Sequence, residues 1–340
     1  MNRRSLFLAL AGFAGCSHDR RPRLNVFNWS GYIAPETIPD FEAEFGVGVR
    51  YSIYESNEEM LAKVMTGNSG WDVVFPSNYY IEPMRRQGLL ARLQHDALPR
   101  LDHVDTMFRA PEWDPGLDWS VPYMWNGTGV IYAKKLSPEP SSWADLWSEA
   151  IRGRITMLDD PTEVLGAALK KIGHSWNATD PAELRAAQRE AIAQKRYLRA
   201  YLNAEVRDQM VAGDVLAAQL WSTTAQQAMD QSADLAFVYP REGFGLYLDS
   251  AVILKESRRK ELAHRFLDYL LRPQVAARVA TVARTATANG GARVLLPPEV
   301  RNNPTLYPPP DVLARGEWAR AMPVPAQRLR DRLWTEIKSA

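Results

Sequence analysis

Apolar residues along the chain follow two alternating rhythms. Short unbroken runs, LNVFN (24 to 28), VGVRYSIY (47 to 54) and WDVVFP (71 to 76), predict buried strands. Between them, apolar residues fall three and four apart, the spacing of one helix face. The first such helix carries Ile38, Phe41 and Phe45 and stops at Gly46; the second opens at Ser56 or Asn57, turns Met60, Leu61, Val64 and Met65 inward and ends at Gly67; a third runs to Gly88. The same order restarts with the strand RITML (154 to 158) and a helix from Asp160 that buries Val164, Leu165, Ala168, Leu169 and Ile172. Two helices then fill 181 to 212, and VLAAQL (215 to 220) is a strand with a helix from about Thr223. DLAFVYP (234 to 240) is another strand, and YLDSAVIL (247 to 254) leads into two more helices. Strands alternating with amphipathic helices predict an α/β fold of mainly parallel sheets covered on both faces. The restart predicts two lobes, with SVPYMWNGTGVIYA (120 to 133) as the crossover between them. NNPTLYPPP (302 to 310) reads as an irregular connection to a C-terminal helix.

A chain of 340 residues, 46% of them hydrophobic, has material for two cores. Lys and Arg together number 41 against 40 Asp and Glu, a balance that gives no reason to expect nucleic acid as a partner. The first sixteen residues, MNRRSLFLALAGFAGC, stand apart: two arginines precede an apolar run of about eleven residues, too short to span a bilayer, as in an export signal. FAGC resembles a bacterial lipobox with Phe13 where Leu is usual, which would make Cys16 the lipidated N-terminus and hold the protein to a membrane. Arg3 and Arg4 followed by SLFL also resemble a twin-arginine signal, and the general secretory route stays open beside it. Cys16 is the only cysteine, which excludes a disulfide framework and a cysteine metal site. Cleavage there removes Arg3 and Arg4 and no acid, leaving 39 basic against 40 acidic side chains.

In open parallel sheets, ligands bind beyond the carboxyl ends of the strands, where loops diverge. The residues just after each strand are therefore informative. After the first come Trp29, Ser30 and Tyr32; after the third, Ser77 and Tyr79; after RITML, Asp159, Asp160 and Glu163; after VLAAQL, Trp221. Tyr247 and Asp249 open the segment that returns between lobes. The set holds rings, hydroxyls and carboxylates, with no Lys or Arg. Carboxylates and aromatic faces hold an ammonium, and methylenes lie flat on the same rings, so the inferred crevice fits a small organic cation with more than one charge. A plainer reading accompanies each residue. Asp160, Pro161 and Glu163 compose a helix start, with Asp160 as N-cap and Glu163 closing a capping box, and Trp29 and Trp221 would serve as packing. Asp249 is the hardest to treat as structural, because Asp is a poor strand residue and costly to bury unpaired.

The stretches FNWSGYIAP, IYESNEEMLAKV, WDVVFPSNYYIEPMRRQGLL, SWADLW, LDDPTEVLGAALKKIG, LYLDSAVI, FLDYLLRPQVA and LYPPPDVLARGEW resemble the periplasmic spermidine/putrescine-binding proteins of ABC importers. The likeness runs from about Leu24 to about Trp318. It implies a two-lobed, type II periplasmic binding-protein fold that closes on a polyamine, capturing it for a permease driven by a separate ATPase. Residues 1–16 are then the export signal and 17–22 a tether; 23–124 with 249–300 form one lobe, and 125–248 with 301–340 the other. Position by position the resemblance implicates Trp29, Ser30, Tyr32, Ser77, Tyr79, Asp160, Glu163, Trp221, Tyr247 and Asp249, the acids for amines and the rings for methylenes. Two departures, Tyr247 where spermidine binders tend to have Trp and Ala319 where a ligand-contacting Gln is expected, leave the choice of amine open. The implied protein is a monomer of the periplasm or cell envelope, lipid-anchored, with no cofactor and no metal.

The rival from another class is a secreted glycoside hydrolase using Asp160 and Glu163. Residues three apart on one helical turn suit a shared ammonium better than two carboxylates flanking a glycosidic bond. There is no GxSxG, HExxH or GxxxxGK[ST], and His18, His95, His103, His174 and His264 show no ligand spacing. A binding protein for another organic cation, or a sensor subunit with no transport role, remains a further alternative.

Overall fold

The computed structural model describes residues 21–340. The export signal, Cys16 and the start of the tether lie outside the described residues. The strands are β1 (Arg23–Trp29), β2 (Gly48–Tyr54), β3 (Val73–Val74), β4 (Val121–Ala133), β5 (Ile155–Met157), β6 (Leu198–Tyr201), β7 (Ala217–Trp221), β8 (Leu235–Val238), β9 (Phe244–Ile253), β10 (Ala286–Thr287) and β11 (Gly316–Trp318). The longer helices are α1 (Thr37–Phe45), α2 (Asn57–Val64), α3 (Asn78–Arg86), α4 (Pro161–Lys171), α5 (Pro181–Gln194), α6 (Val206–Val211), α7 (Ser222–Met229), α8 (Lys260–Leu270) and α9 (Pro273–Ala283), and a C-terminal helix covers Val324–Ser339.

Local chemistry sets many of these limits. Gly46 ends α1 at φ 64°, a left-handed position that costs a side chain, and returns its N–H to Glu42. Ser56 caps α2 by accepting from the Glu59 N–H. That helix stops at Val64, short of the predicted Gly67.

The strands run in the order β2-β1-β3-β9-β4-β7-β5-β6, with β8 and β10 added on β4 and β11 on β9. At one end β1 pairs in parallel with β2 and β3, and at the other β5 pairs in parallel with β6 and β7. Between them β4 and β9 run antiparallel to each other, β9 antiparallel to β3 and β4 antiparallel to β7. Two parallel-sheet halves joined by two long crossing strands make the two-lobed periplasmic binding-protein architecture. Neither crossing strand belongs to one half alone. Residues 121–127 of β4 pair with β9, whereas 128–132 pair with β7.

Every residue of β4 and β9 is buried, the polar Asn126, Thr128, Asp249 and Ser250 included. β9 starts at Phe244, three residues before the predicted strand, because its first residues pair with β11. β6, β10 and β11 are short strands that local periodicity does not reveal. Trp143 and Trp176 are fully buried. Trp143 donates its indole N–H to the Gly243 carbonyl (2.8 Å) and Trp147 donates to that of Glu190 (3.0 Å), both structural roles. Among the described residues no helix is long and apolar enough to cross a membrane.

Candidate functional site

The strand ends of both halves converge on one cleft that encloses about 750 Å³ of space, open solvent included. All ten residues picked from the sequence line it. Most are placed by the end of an element, while Tyr247 and Asp249 lie inside β9. Trp29 closes β1, Trp221 closes β7, and Ser77 precedes α3, whose second residue is Tyr79. On β9, Tyr247 and Asp249 are two apart and so share one face of the strand. Across the ladder Tyr247 sits opposite Asn126, and on the other edge of β4 Thr128 sits opposite Trp221. Opposed residues share a face, so Asp249, Tyr247, Asn126, Thr128 and Trp221 form a row across the sheet, the floor of the cleft.

The three acids differ in their partners. Asp249 accepts from the Ser77 hydroxyl (2.6 Å), and that hydroxyl in turn accepts from Asn57 Nδ2 (3.1 Å). Burial pushes the Asp249 carboxyl up to about 7, against hydrogen bonds from Ser77 and Tyr32 that favour its charged form. Glu163 is 2% exposed. Its Oε1 accepts from Thr128 Oγ1 (2.9 Å) and from the Trp221 indole N–H (2.8 Å), while Oε2 has no hydrogen-bond partner among the described residues. Burial, and then the charge of Asp160, push Glu163 up to about 8.

Asp160 caps α4, and the N–H groups of Thr162 (2.6 Å) and Glu163 (3.3 Å) both donate to its Oδ1. The predicted capping box is half right. Glu163 does not return a bond to Asp160 but turns its carboxylate to the floor, where Thr128 and Trp221 offer stronger side-chain donors in a drier place. Burial first, then the charge of Glu58, raise Asp160 to about 7, and its two backbone bonds pull the other way.

Among the described residues no Lys or Arg lines this cleft. Asp159, its exposed neighbour, is already paired with Lys338 Nζ at 2.7 Å. The cation behind Asp160 is Arg330 of the C-terminal helix, which is 3% exposed and donates Nη1 to Thr162 Oγ1 (3.0 Å). Its effect on Asp160 is the smallest of the contributions. Helix N-termini attract anions, and this one is overcompensated by carboxylates.

The rings are held by their polar ends, which leaves faces for a ligand. Trp29 donates its indole N–H to the Phe75 carbonyl (2.8 Å) and packs on Tyr54 with centroids 4.7 Å apart. Both Trp29 and Trp221 are half-buried, unlike the fully enclosed Trp143 and Trp176. Tyr79 meets Tyr247 edge-on at 5.9 Å. The Tyr247 hydroxyl accepts from the buried Trp176 indole (3.1 Å). Ala319 is buried and absent from the lining; its carbonyl accepts from Asn78 Nδ2.

Sequence reading missed several polar neighbours: Asn126, Thr128, Asn57 and, at the mouth, Glu55 and Asn203. The signal that singled out Asp249, a poor strand former inside a strand, was equally present at Asn126. Chemically the cleft offers ionisable acceptors and ring faces, and Asp160 and Glu163 lie on one helical turn, an arrangement unlike two acids facing each other across a scissile bond. Among the described residues no group of three or more His, Cys, Asp or Glu is placed to hold a metal ion.

Known proteins share this frame. The family model for bacterial extracellular solute-binding proteins matches residues 36–308. The chain is 35% identical over 310 residues to the spermidine/putrescine-binding periplasmic protein of Escherichia coli, an alignment covering 90% of this chain and 89% of that one. It is 33% identical over 330 residues to a putrescine/cadaverine-binding protein of Pseudomonas aeruginosa, with 93% of each chain covered. The solved spermidine/putrescine ABC transporter substrate-binding protein PotD of Streptococcus pneumoniae superposes with a TM-score of 0.82 at 28% identity, covering 94% of this chain and 99% of that one.

Proposed function

The chain belongs to the bacterial extracellular solute-binding protein family, and from that premise we propose that it captures a polyamine of the putrescine and spermidine class and delivers it to an ABC importer. One observation carries the reading: three carboxyls, Asp160, Glu163 and Asp249, share a ring-lined cleft in whose walls no described residue is basic. Desolvated acids held at raised pKa favour a cation that brings its own charge. The relatives' names identify cations of this kind.

In this reading the three acids take the amines, while Trp29, Tyr32, Tyr79, Trp221 and Tyr247 hold the methylenes and Ser30 and Ser77 contribute hydroxyls. The lobes are 23–124 with 249–300 and 125–248 with 301–340, and they close over the ligand. Closure dries the cleft, so each carboxylate–ammonium contact is worth more than in water. The protein works as a monomer of the periplasm or cell envelope, anchored to a membrane through Cys16, and passes the amine to a permease with a separate ATPase. It binds and does not catalyse.

Calorimetry on Asp249→Asn and Glu163→Gln tests the site: each is expected to cost about 2–4 kcal/mol of putrescine or spermidine binding. Full affinity in both would remove the site. A thermal-shift panel of diamines, triamines, cationic amino acids and sugars separates the polyamine reading from another organic cation, and a glycosidase screen on the same samples disposes of the hydrolase.

A further inference from the structure

The cleft floor holds a polar group that the acids-and-rings account leaves idle. Asn126 lies in β4, directly opposite Tyr247 in the ladder and in the same row as Asp249 and Thr128. It is 6% exposed and lines the cleft. Its Nδ2 donates to the Tyr32 hydroxyl at 3.1 Å, whereas its Oδ1 is buried with no hydrogen-bond partner among the described residues.

The amide is oriented by its one hydrogen bond. The Tyr32 hydroxyl accepts from Asn126 Nδ2, so the NH₂ faces Tyr32 and the carbonyl oxygen is turned away from that hydroxyl. Glu163 repeats the pattern nearby: Oε1 is occupied by Thr128 and Trp221, and Oε2 is bare. Two side chains more than nine-tenths buried thus each hold one acceptor unused beside the same space. Buried polar atoms are ordinarily paired, and an acceptor left bare on a binding surface is costly until a donor arrives.

An amide oxygen and a carboxylate ask different things of a cation. Carboxylates and ring faces attract any positive charge, including a methylated ammonium without N–H groups. A neutral carbonyl oxygen requires an N–H. A primary ammonium has three, enough for a carboxylate and one further acceptor. A dimethylated amine has a single N–H per nitrogen, which the carboxylate takes.

We infer that Asn126 Oδ1 accepts a hydrogen bond from the bound ammonium and makes the cleft select N–H-rich amines over N-methylated ones. The inference rests on the polyamine reading and adds a specificity residue to it. A site built to hydrogen-bond an N–H strongly rejects the analogue that lacks it, because its own acceptor is then stranded.

The test is calorimetry of putrescine and N,N,N′,N′-tetramethylputrescine against the unaltered chain, Asn126→Ala and Asn126→Asp. The unaltered chain is expected to prefer putrescine. Asn126→Ala should weaken putrescine by about tenfold or more and tetramethylputrescine by less than about twofold. Asn126→Asp keeps an acceptor in place and should keep the preference, which preserves a readout if the alanine variant folds poorly by thermal melt. Equal loss of both ligands in Asn126→Ala, no loss of either, or equal affinity of the unaltered chain for the two amines overturns the role of Asn126 while leaving polyamine binding intact. Failure of the unaltered chain to bind any amine overturns the functional reading itself, and this inference with it.

Discussion

Asp160, Glu163 and Asp249 titrate near 7, 8 and 7, far above ordinary carboxyls, because burial disfavours their charge. Raised acid pKa values have a definite sign in stability. Between the unfolded value near 4 and these folded values, the unfolded chain has lost protons that the folded chain retains, so stability falls as pH rises through that window. The ligand-free protein is thus expected to melt higher at pH 5.5 than at pH 8 as far as these groups decide it. Binding has the opposite slope, since a polyamine needs the carboxylates ionised and drives their protons off. Putrescine affinity should improve by about tenfold or more from pH 6 to pH 8, with proton release at pH 7 visible as a buffer-dependent heat. A flat affinity profile would contradict the raised values. Glu163→Gln separates the two effects at one position. A glutamine oxygen still accepts from Thr128 and Trp221 in place of Oε1, and the amide removes a charge that burial opposes. The ligand-free variant should melt above the unaltered chain at pH 8 while binding is lost, the exchange of stability for function common at binding sites; a lower melting temperature would refute this.

Helix α4 shows how one element serves both fold and site. Its Asp160 cap and its charge can be separated by substitution, because asparagine keeps an oxygen for the Thr162 and Glu163 N–H groups and alanine does not. At pH 5.5, where Asp160 is largely protonated, Asp160→Asn should leave the melting temperature nearly unchanged, whereas Asp160→Ala should lose about 1 kcal/mol of stability; both should weaken polyamine binding at pH 8. Equal stability of the two variants would mean the cap carries nothing. Farther along α4, a Cβ at Gly166 would lie 2.4 Å from the Trp176 ring, and one at Gly245 of β9 2.6 Å from it. Trp176 is wedged between helix and crossing strand, and its indole holds the Tyr247 hydroxyl. Gly166→Ala should therefore cost about 1–3 kcal/mol of stability by overpacking and disturb the slot through Tyr247, read as a lower melting temperature with weaker binding. The start of this helix was legible in the sequence because cap, proline and apolar spacing are all local. Eight of the ten cleft-lining residues were legible because parallel strands put their ends on one side, a rule that needs only strand boundaries, and Asp249, inside β9, stood out as a poor strand residue. Asn126 and Thr128 escaped because they lie inside a strand, where function depends on which neighbour stands opposite across the ladder. β6, β10 and β11 escaped for the same reason: their pairing is long-range, and so few residues carry no period.

At the scale of the whole molecule, the cleft has acids on both of its walls. Trp29, Ser77, Tyr79 and Glu58 come from the half that holds β1 to β3, and Asp160, Glu163 and Trp221 from the half that holds β5 to β7. Beside burial, which raises both groups most, the charge of Glu58 raises Asp160 and that of Glu205 raises the exposed Glu55, so like charges act on one another from opposite sides. β4 and β9 each run through both halves and give rotation a continuous hinge. A polyamine placing its ammonium groups among these acids would reverse the sign of that interaction, and protonation would weaken the repulsion without it. Small-angle scattering should accordingly report a smaller radius of gyration with saturating putrescine than without, and no response in the Asp249→Asn, Glu163→Gln double variant. The ligand-free chain should also scatter more compactly at pH 5 than at pH 8. A radius indifferent to both putrescine and pH would mean that the acids bind without governing closure, and the two bodies would have to be held at fixed separation by something other than charge.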